Sequence, residues 1–479
     1  MSKTKSALIG ALAIVGAALL GLMNGCGGSG GPNTSGSSGQ AKIQHIVVIF
    51  QENRTPDNLF QDPVLIQRGA DIQNYGINSS GVKVPLTPQP LEGNWDNDHS
   101  HYSFVVMYDG GKMDGANLIR LVCGTTCSPP ADRPFNYVPA YEVQPYYSMA
   151  ETYSFGDRMF QTNEGPSFPA HQFIISGSSS PAPPGQTNSN FFVADNAEGT
   201  NSGTTGCLAS AGQFVLLIDP ANPDQNTNET RHQFPCLDRP TLTDLLDNQS
   251  ISWRYYAVSA GTLWNAPTAI KHICGPSPAP PDSTSCAGAV YQQNVVLNPA
   301  QVLTDIQNSN LASMTWVTPS AQESDHAGVG PGGNEGPAWV SSIVNAIGNS
   351  SYWANTAIII TWDDWGGWYD HVAPPIINSY QYGFRVPLIV VSPYAKAAYV
   401  SHQVNDFGSV LKFAEEVFGL PNVAPGATPA YADVLTTGAD LSDFFDFSQT
   451  PLKFQTIQAN QDANYFLRDT RPPEPPDND

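Results

Sequence analysis

Five short apolar runs punctuate the chain: IQHIVVIF at 43–50, ISWRYYAV at 251–258, SMTWVT at 313–318, AIIITW at 357–362 and PLIVVS at 387–392. Rich in β-branched and aromatic residues and without strict alternation, they predict strands buried on both faces. Helical patterns fall between them. TLTDLLDNQ follows Pro240, AWVSSIVNAIGN at 338–349 precedes the fourth run, and FGSVLKFAEEVFGL at 407–420 follows the fifth. Strands alternating with helices predict an α/β fold with a mostly parallel central sheet flanked by helices. Segments 61–97, 178–240 and 260–300 are rich in Gly, Pro, Asn and Ser. Long loops are expected there, the last two as loop-rich insertions or a small cap.

The polar residues gain meaning from where the runs end. The first run ends in Gln51-Glu52-Asn53-Arg54, the third leads to Glu323, Asp325 and His326, and the fourth ends in Asp363-Asp364. Ligands of open parallel sheets bind beyond the carboxyl ends of the strands. Three such exits carrying acids, an amide and a histidine predict one site, and paired acids there call for a divalent cation. Gly366-Gly367 follows the acid pair and would let the backbone approach closely. Ser167, in TNEGPSFPAHQFIISG at 162–177, sits where prolines suit a helix start, so its hydroxyl would face the positive end of a helix dipole. Read alone, a plain N-cap serine is the better reading. His99, His326 and His371 each follow an aspartate, an arrangement that would hold an imidazole if the side chains converge. His45 reads as a core or edge residue. His232 and His272 are given no role, and His101 and His402 are left open.

Composition places this chemistry outside the cytoplasm. Lys3 and Lys5 precede the apolar stretch ALIGALAIVGAALLGLMNG, and Cys26 follows. This predicts a signal peptide over 1–25 with Cys26 as a lipid anchor to the membrane; an ordinary cleaved signal or an uncleaved anchor is the alternative. Residues 26–41 read as a Gly/Ser tether, and the G-x-S-x-G spelled by Gly27–Gly31 belongs to that tether. A single domain is expected over 42–466, with a disordered Pro-rich acidic tail over 467–479. Export to the bacterial cell envelope (periplasm or outer membrane) or secretion follows. Six cysteines remain beyond Cys26, and their spacing allows the local pairs 123–127, 207–236 and 274–286 among other connectivities. No CxxC pair supports a metal alternative. A net charge of −22 makes the chain a poor binder of nucleic acid.

Six motifs in order carry a resemblance: IVVIFQENRTPDNLF, DGGKMDG at 109–115, GPSFPAHQFIISG, WVTPSAQESDHAG, TWDDWGGWYDHVAPP and GFRVPLIVVSPYAK. From about residue 43 to 420 the chain resembles the bacterial phosphoesterase family that contains phospholipase C enzymes and a secreted acid phosphatase, within the alkaline-phosphatase-like superfamily. The resemblance implies that Glu52, Asn53, Asp363 and Asp364 bind one metal ion, with Ser167 near or on it. Ser167 would be the nucleophile, forming a phosphoseryl intermediate. His99 and His326 would stabilise the transferring group or the leaving oxygen, and His371 would order the site. Phospholipase members often carry Thr in GPTNPNR; the serine here looks more like the phosphatase branch. Ala170-His171 departs from the Asn-Arg or Asn-His of the family.

The first functional expectation is therefore a metal-dependent phosphatase acting on phosphate monoesters. The second is a phospholipase C cleaving phospholipid diesters, with Trp362, Trp365 and Trp368 as candidates for a choline pocket or, equally, as core packing. The third is a catalytically silent surface lipoprotein. The ion could be Ca, Mg, Mn, Zn or Fe, and the oxygen donors lean toward a hard cation.

Overall fold

The computed structural model describes residues 42–123, 127–199, 203–222, 229–328, 334–435 and 439–473. The expected signal peptide, Cys26 and the tether lie outside the described residues, as do positions 474–479 of the tail.

Eight strands form the central sheet: β1 (His45–Gln51), β2 (Ser154–Gly156), β3 (Trp253–Tyr256), β4 (Val295–Val296), β5 (Met314–Val317), β6 (Thr356–Trp362), β7 (Leu388–Val391) and β8 (Tyr399–Ser401). Their order is β4-β3-β5-β1-β6-β7-β2-β8. All neighbouring pairs are parallel except those made by β7, which runs against both β6 and β2. All five apolar runs are strands of this sheet. β5, β6 and β7 are buried at every position, and β1 is buried from Ile46 onward. Isoleucine and valine pack well on a pleated surface, and burial on both faces explains the absence of alternation.

Seven helices matter for the site and its support: α1 (His101–Tyr108), α2 (Ala140–Thr152), α3 (Ser167–Ser176), α4 (Leu242–Asn248), α5 (Gln301–Gln307), α6 (Gly336–Gly348) and α7 (Phe407–Phe418). They pack in two sets. α6 touches both α2 and α5, and α3 touches α4 and α7. α7 starts at an Asp406 capping box and stops at Gly419 in the left-handed region. α3 likewise stops at Gly177.

The insertions are not structureless. A small antiparallel sheet joins 192–193, 215–218 and 231–233. Disulfides link Cys123–Cys127, Cys207–Cys236 and Cys274–Cys286. Part of the expected tail is also placed: Arg471 donates to Glu335 at 2.7 Å, and a helix spans Ala463–Arg468. Among the described residues, no helix is long and apolar enough to cross a membrane.

Candidate active site

Parallel pairing aligns the strand exits. Gln51 of β1 stands opposite Trp362 of β6, and the ladder continues one step as Asp363 N–H donates to Gln51 O at 3.0 Å. Glu52 and Asp363 are therefore neighbours by register. Gln51 also fastens the loop after β5: its Nε2 donates to Glu323 O, and its Oε1 accepts from Asp325 N–H. Asn53 then turns the chain with φ of 64°, a left-handed conformation asparagine tolerates. The backbone of 366 lies against that turn. A Cβ on Gly366 would stand 2.4 Å from Asn53 O, and one on Gly367 would stand 2.4 Å from Asn97 Cβ. Only glycine allows this approach, as the sequence predicts.

Ser167 is the first residue of α3. Asn196 Oδ1 accepts from Phe168 N–H at 2.9 Å and so ties down the helix start. The Ser167 hydroxyl donates to Asp364 Oδ2 at 3.2 Å. Glu52, Asn53, Asp363 and Asp364 are fully buried, and Ser167 is nearly so. Among the described residues, no Lys or Arg side chain bonds to any of the three carboxylates. The basic side chain beside two of them is His171, whose Nε2 lies 3.2 Å from Glu52 Oε1 and 3.5 Å from Asp363 Oδ2. Asp363 Oδ2 accepts no hydrogen bond.

The electrostatics follow from this crowding. Burial, then the charge of Asp363, pushes the Glu52 carboxyl well above the ordinary range. Burial and Asp363 do the same to Asp364. Burial also opposes ionisation of Asp363, but a protonated His171 ring, 3.5 Å away, would hold its carboxyl below the usual value. Three acids without a cationic side chain are costly unless a cation joins them.

The Asn53 amide supplies a second sign of that cation. One end of the amide lies 2.9 Å from Asp363 Oδ1 and 3.0 Å from Glu52 Oε2; the other lies 3.0 Å from Nε2 of both His99 and His326. Two orientations are self-consistent. If the nitrogen faces the acids, both imidazoles must donate from Nε2. If the oxygen faces them, both Nε2 atoms must accept. The Nδ1 atoms settle which form suits neutral rings. His99 Nδ1 faces Asn97 O at 2.9 Å and His326 Nδ1 faces Ala327 O at 2.5 Å. Carbonyls only accept, so Nδ1 carries the hydrogen and Nε2 is an acceptor. We adopt the arrangement in which Asn53 Nδ2 donates to both histidines and Oδ1 faces the acids. Oxygen then meets oxygen at about 3 Å, the spacing of donors around one ion with bonds of ~2.1 Å. The donor set fits a divalent ion held by Glu52, Asn53, Asp363 and Asp364, with the Ser167 hydroxyl beside it.

The structure thus gathers Glu52, Asn53, Ser167, Asp363, Asp364, His99 and His326. It does not gather His371. His371 Nδ1 faces Asp57 Oδ2 at 2.7 Å and Nε2 faces Asp71 Oδ1 at 2.9 Å. His371 therefore stands apart from Ser167 and fastens the Asp370 loop to the Asp57 motif, together with Arg385, which pairs with Asp370 at 2.9 Å.

The Asp-His doublets do not work as adjacent pairs either, because neighbouring side chains diverge in non-helical backbone. Asp325 accepts from Tyr146 and Trp362, Asp370 binds Arg385, and Asp98 accepts from Ser100 N–H. Asp96, which the sequence did not single out, lies 3.6 Å from His99 Nδ1 and 4.0 Å from His326 Nδ1.

The three tryptophans are buried and serve packing. Trp362 sits edge-on to Tyr146 and Phe60, Trp365 stacks on Phe384, and Trp368 packs on Trp95 beneath the Arg54 guanidinium. His45 lies edge-on to Tyr352, and His232 stacks on Phe214. His272 is clasped by Asp238 and Asp244, His101 by Glu164 and Glu229, and His402 bonds Asp157. A surface cleft of about 700 Å³ lined by Glu92, Tyr141, Asn334 and Asn460 is separate from the residues that converge on Ser167.

A buried cluster of oxygen donors beside a helix-start serine lies at the carboxyl edge of the parallel sheet, and the family to which the chain belongs makes it a hydrolase acting on phosphoric ester bonds. The chain belongs to the Phosphoesterase family, whose pattern it matches over residues 43–421. It is similar to Phospholipase C A of Mycobacterium tuberculosis, at 23% identity over 85% of this chain and 78% of that one. Against the hemolytic phospholipase C of Pseudomonas aeruginosa the identity is 23%, over 85% of this chain and 56% of the relative. Among solved structures, it aligns with a protein in the alkaline phosphatase superfamily from Vibrio parahaemolyticus at 9% identity and a TM-score of 0.35, over 79% of this chain and 67% of that one. Membership of a hydrolase family weighs against the silent-binder expectation.

Proposed function

We propose that the chain hydrolyses phosphodiesters of the phospholipid head-group type through a Ser167 nucleophile beside one divalent ion. The observation that carries this reading is the convergence of Glu52, Asn53, Asp363, Asp364 and the Ser167 hydroxyl with no Lys or Arg among them. When bound, the ion would polarise a phosphoryl oxygen and favour the ionised form of the serine. Ser167 gives its proton toward Asp364 Oδ2 and attacks phosphorus in line. The P–O bond to the leaving group breaks, and that oxygen takes up the proton passed to Asp364, while His99 and His326 hold the Asn53 amide in place. Water then hydrolyses the phosphoserine and regenerates the hydroxyl. Positioning and charge stabilisation do most of the catalysis, as in phosphoryl transfer generally.

Charge favours the diester. A monoester brings a dianion to a site already holding three carboxylates and no cationic side chain, whereas a diester brings one negative charge. The names of the relatives point the same way. The monoester reading keeps one observation, the serine at 167 where phospholipase members often carry threonine. Three disulfides support action in an oxidising compartment outside the cytoplasm. The test is turnover of a nitrophenyl phosphorylcholine diester against nitrophenyl phosphate, with and without EDTA. Diester preference abolished by chelation is expected. Monoester preference would restore the phosphatase reading, and EDTA-resistant turnover would remove the ion from the mechanism.

A further inference from the structure

We infer that His171 is itself a ligand of the ion and that it makes the centre selective for a borderline transition ion, such as zinc, over calcium and magnesium. This rests on the reading of the site as a metal centre. His171 lies one helical turn beyond Ser167 on α3, so both side chains share a face. Nε2 stands 3.2 Å from Glu52 Oε1 and 3.5 Å from Asp363 Oδ2, with no solvent exposure on any of the three side chains. Donors on one ion with bonds of ~2.1 Å lie about 3.0–3.4 Å apart.

The hydrogen bonds on the far side of the ring fix what Nε2 offers. Nδ1 lies 3.4 Å from the Tyr255 hydroxyl, and that hydroxyl donates its only hydrogen to Trp264 O at 2.8 Å. The Tyr255 oxygen is left as an acceptor, so Nδ1 is the protonated nitrogen. In the neutral ring Nε2 then points a lone pair at two fully buried carboxylate oxygens. That arrangement is repulsive unless a cation lies among the three atoms. A ligating imidazole whose other nitrogen donates to a polar group is also the usual way a protein orients a histidine on a metal. Phe50, itself buried, flanks the ring with centroids 6.1 Å apart. With His171 included, the donors are no longer all oxygen. Calcium and magnesium take oxygen ligands, whereas imidazole suits zinc and its transition-metal neighbours. This reverses the lean toward a hard cation drawn from the sequence. The competing arrangement is a plain ion pair, with His171 as an imidazolium serving the two acids.

The experiment uses the purified chain, stripped of metal and folded by circular dichroism, titrated separately with zinc, cobalt, calcium and magnesium. Wild type should bind one zinc or cobalt ion in preference to calcium or magnesium. His171→Gln should lose about 100-fold or more in zinc and cobalt affinity, with the cobalt absorption bands shifted and weakened, while calcium and magnesium binding stays unchanged. X-ray absorption of zinc-loaded wild type should show one imidazole on the ion, which guards against a variant that fails to fold. Unchanged cobalt bands and affinity in His171→Gln, or no imidazole on zinc in the wild type, would overturn the inference and leave the metal centre standing. A folded wild type that binds none of the four ions would overturn both.

Discussion

Gly366→Ala tests the close approach that seats Asn53 over the metal loop. Gly366 has φ of 61°, and an added Cβ would stand 2.4 Å from Asn53 O and 2.7 Å from Asn53 Cβ. A left-handed alanine costs about 1–2 kcal/mol, and forcing a methyl into packed backbone costs about 1–3 kcal/mol more. The sum, about 2–5 kcal/mol, corresponds to a fall in Tm of about 2–6 °C for a domain of this size. The clash acts on a proposed ligand of the ion: relieving it moves Asn53 by about 1 Å, enough to cost about 100-fold in turnover. Gly81→Ala is the control, because φ is 74° there and nothing lies within 4 Å of the added Cβ. It should show the backbone penalty alone, with activity unchanged. Thermal melts and kcat/KM of both variants decide the matter. If Gly366→Ala matches Gly81→Ala in both readouts, the turn does not place Asn53.

Two further outcomes follow from the charged clusters. Asp57 accepts from His371 Nδ1, His371 N–H and Gln73 N–H, and faces Arg385, all in the interior. Asp57→Asn should cost about 3 kcal/mol in denaturant unfolding, because it strips a buried partner from two basic side chains. Burial disfavours the charge of His101, yet hydrogen bonds to Glu164 and Glu229 raise its pKa to about 9. A raised pKa stabilises fully below the unfolded value and is lost as pH rises through 9. Tm should therefore fall between pH 7 and 10, and His101→Gln should flatten that fall.

The sheet was legible because its long strands are continuous apolar runs. Strands β2, β4 and β8 were not, since each has only two or three residues and carries no pattern of its own. α2 was hidden by Pro145 in its interior. The donors at strand exits could be read because parallel register puts Glu52 beside Asp363. What escaped was set by tertiary contact. Asp96 reaches two histidines distant in sequence, and Asp57 reaches His371 across 314 positions. Adjacency in Asp-His doublets misled for the same reason. His171 did have a signal, its four-residue spacing from Ser167 on a predicted helix, which places the imidazole over the same face as the hydroxyl.

The most direct test of the central claim is Ser167→Ala, with turnover and bound metal measured on the same preparation. On the proposed reading the hydroxyl attacks, while the ion is held chiefly by Glu52, Asn53, Asp363 and Asp364. Turnover should vanish while the variant keeps its ion and still binds substrate. Near-wild-type turnover in the metal-loaded variant would contradict the account.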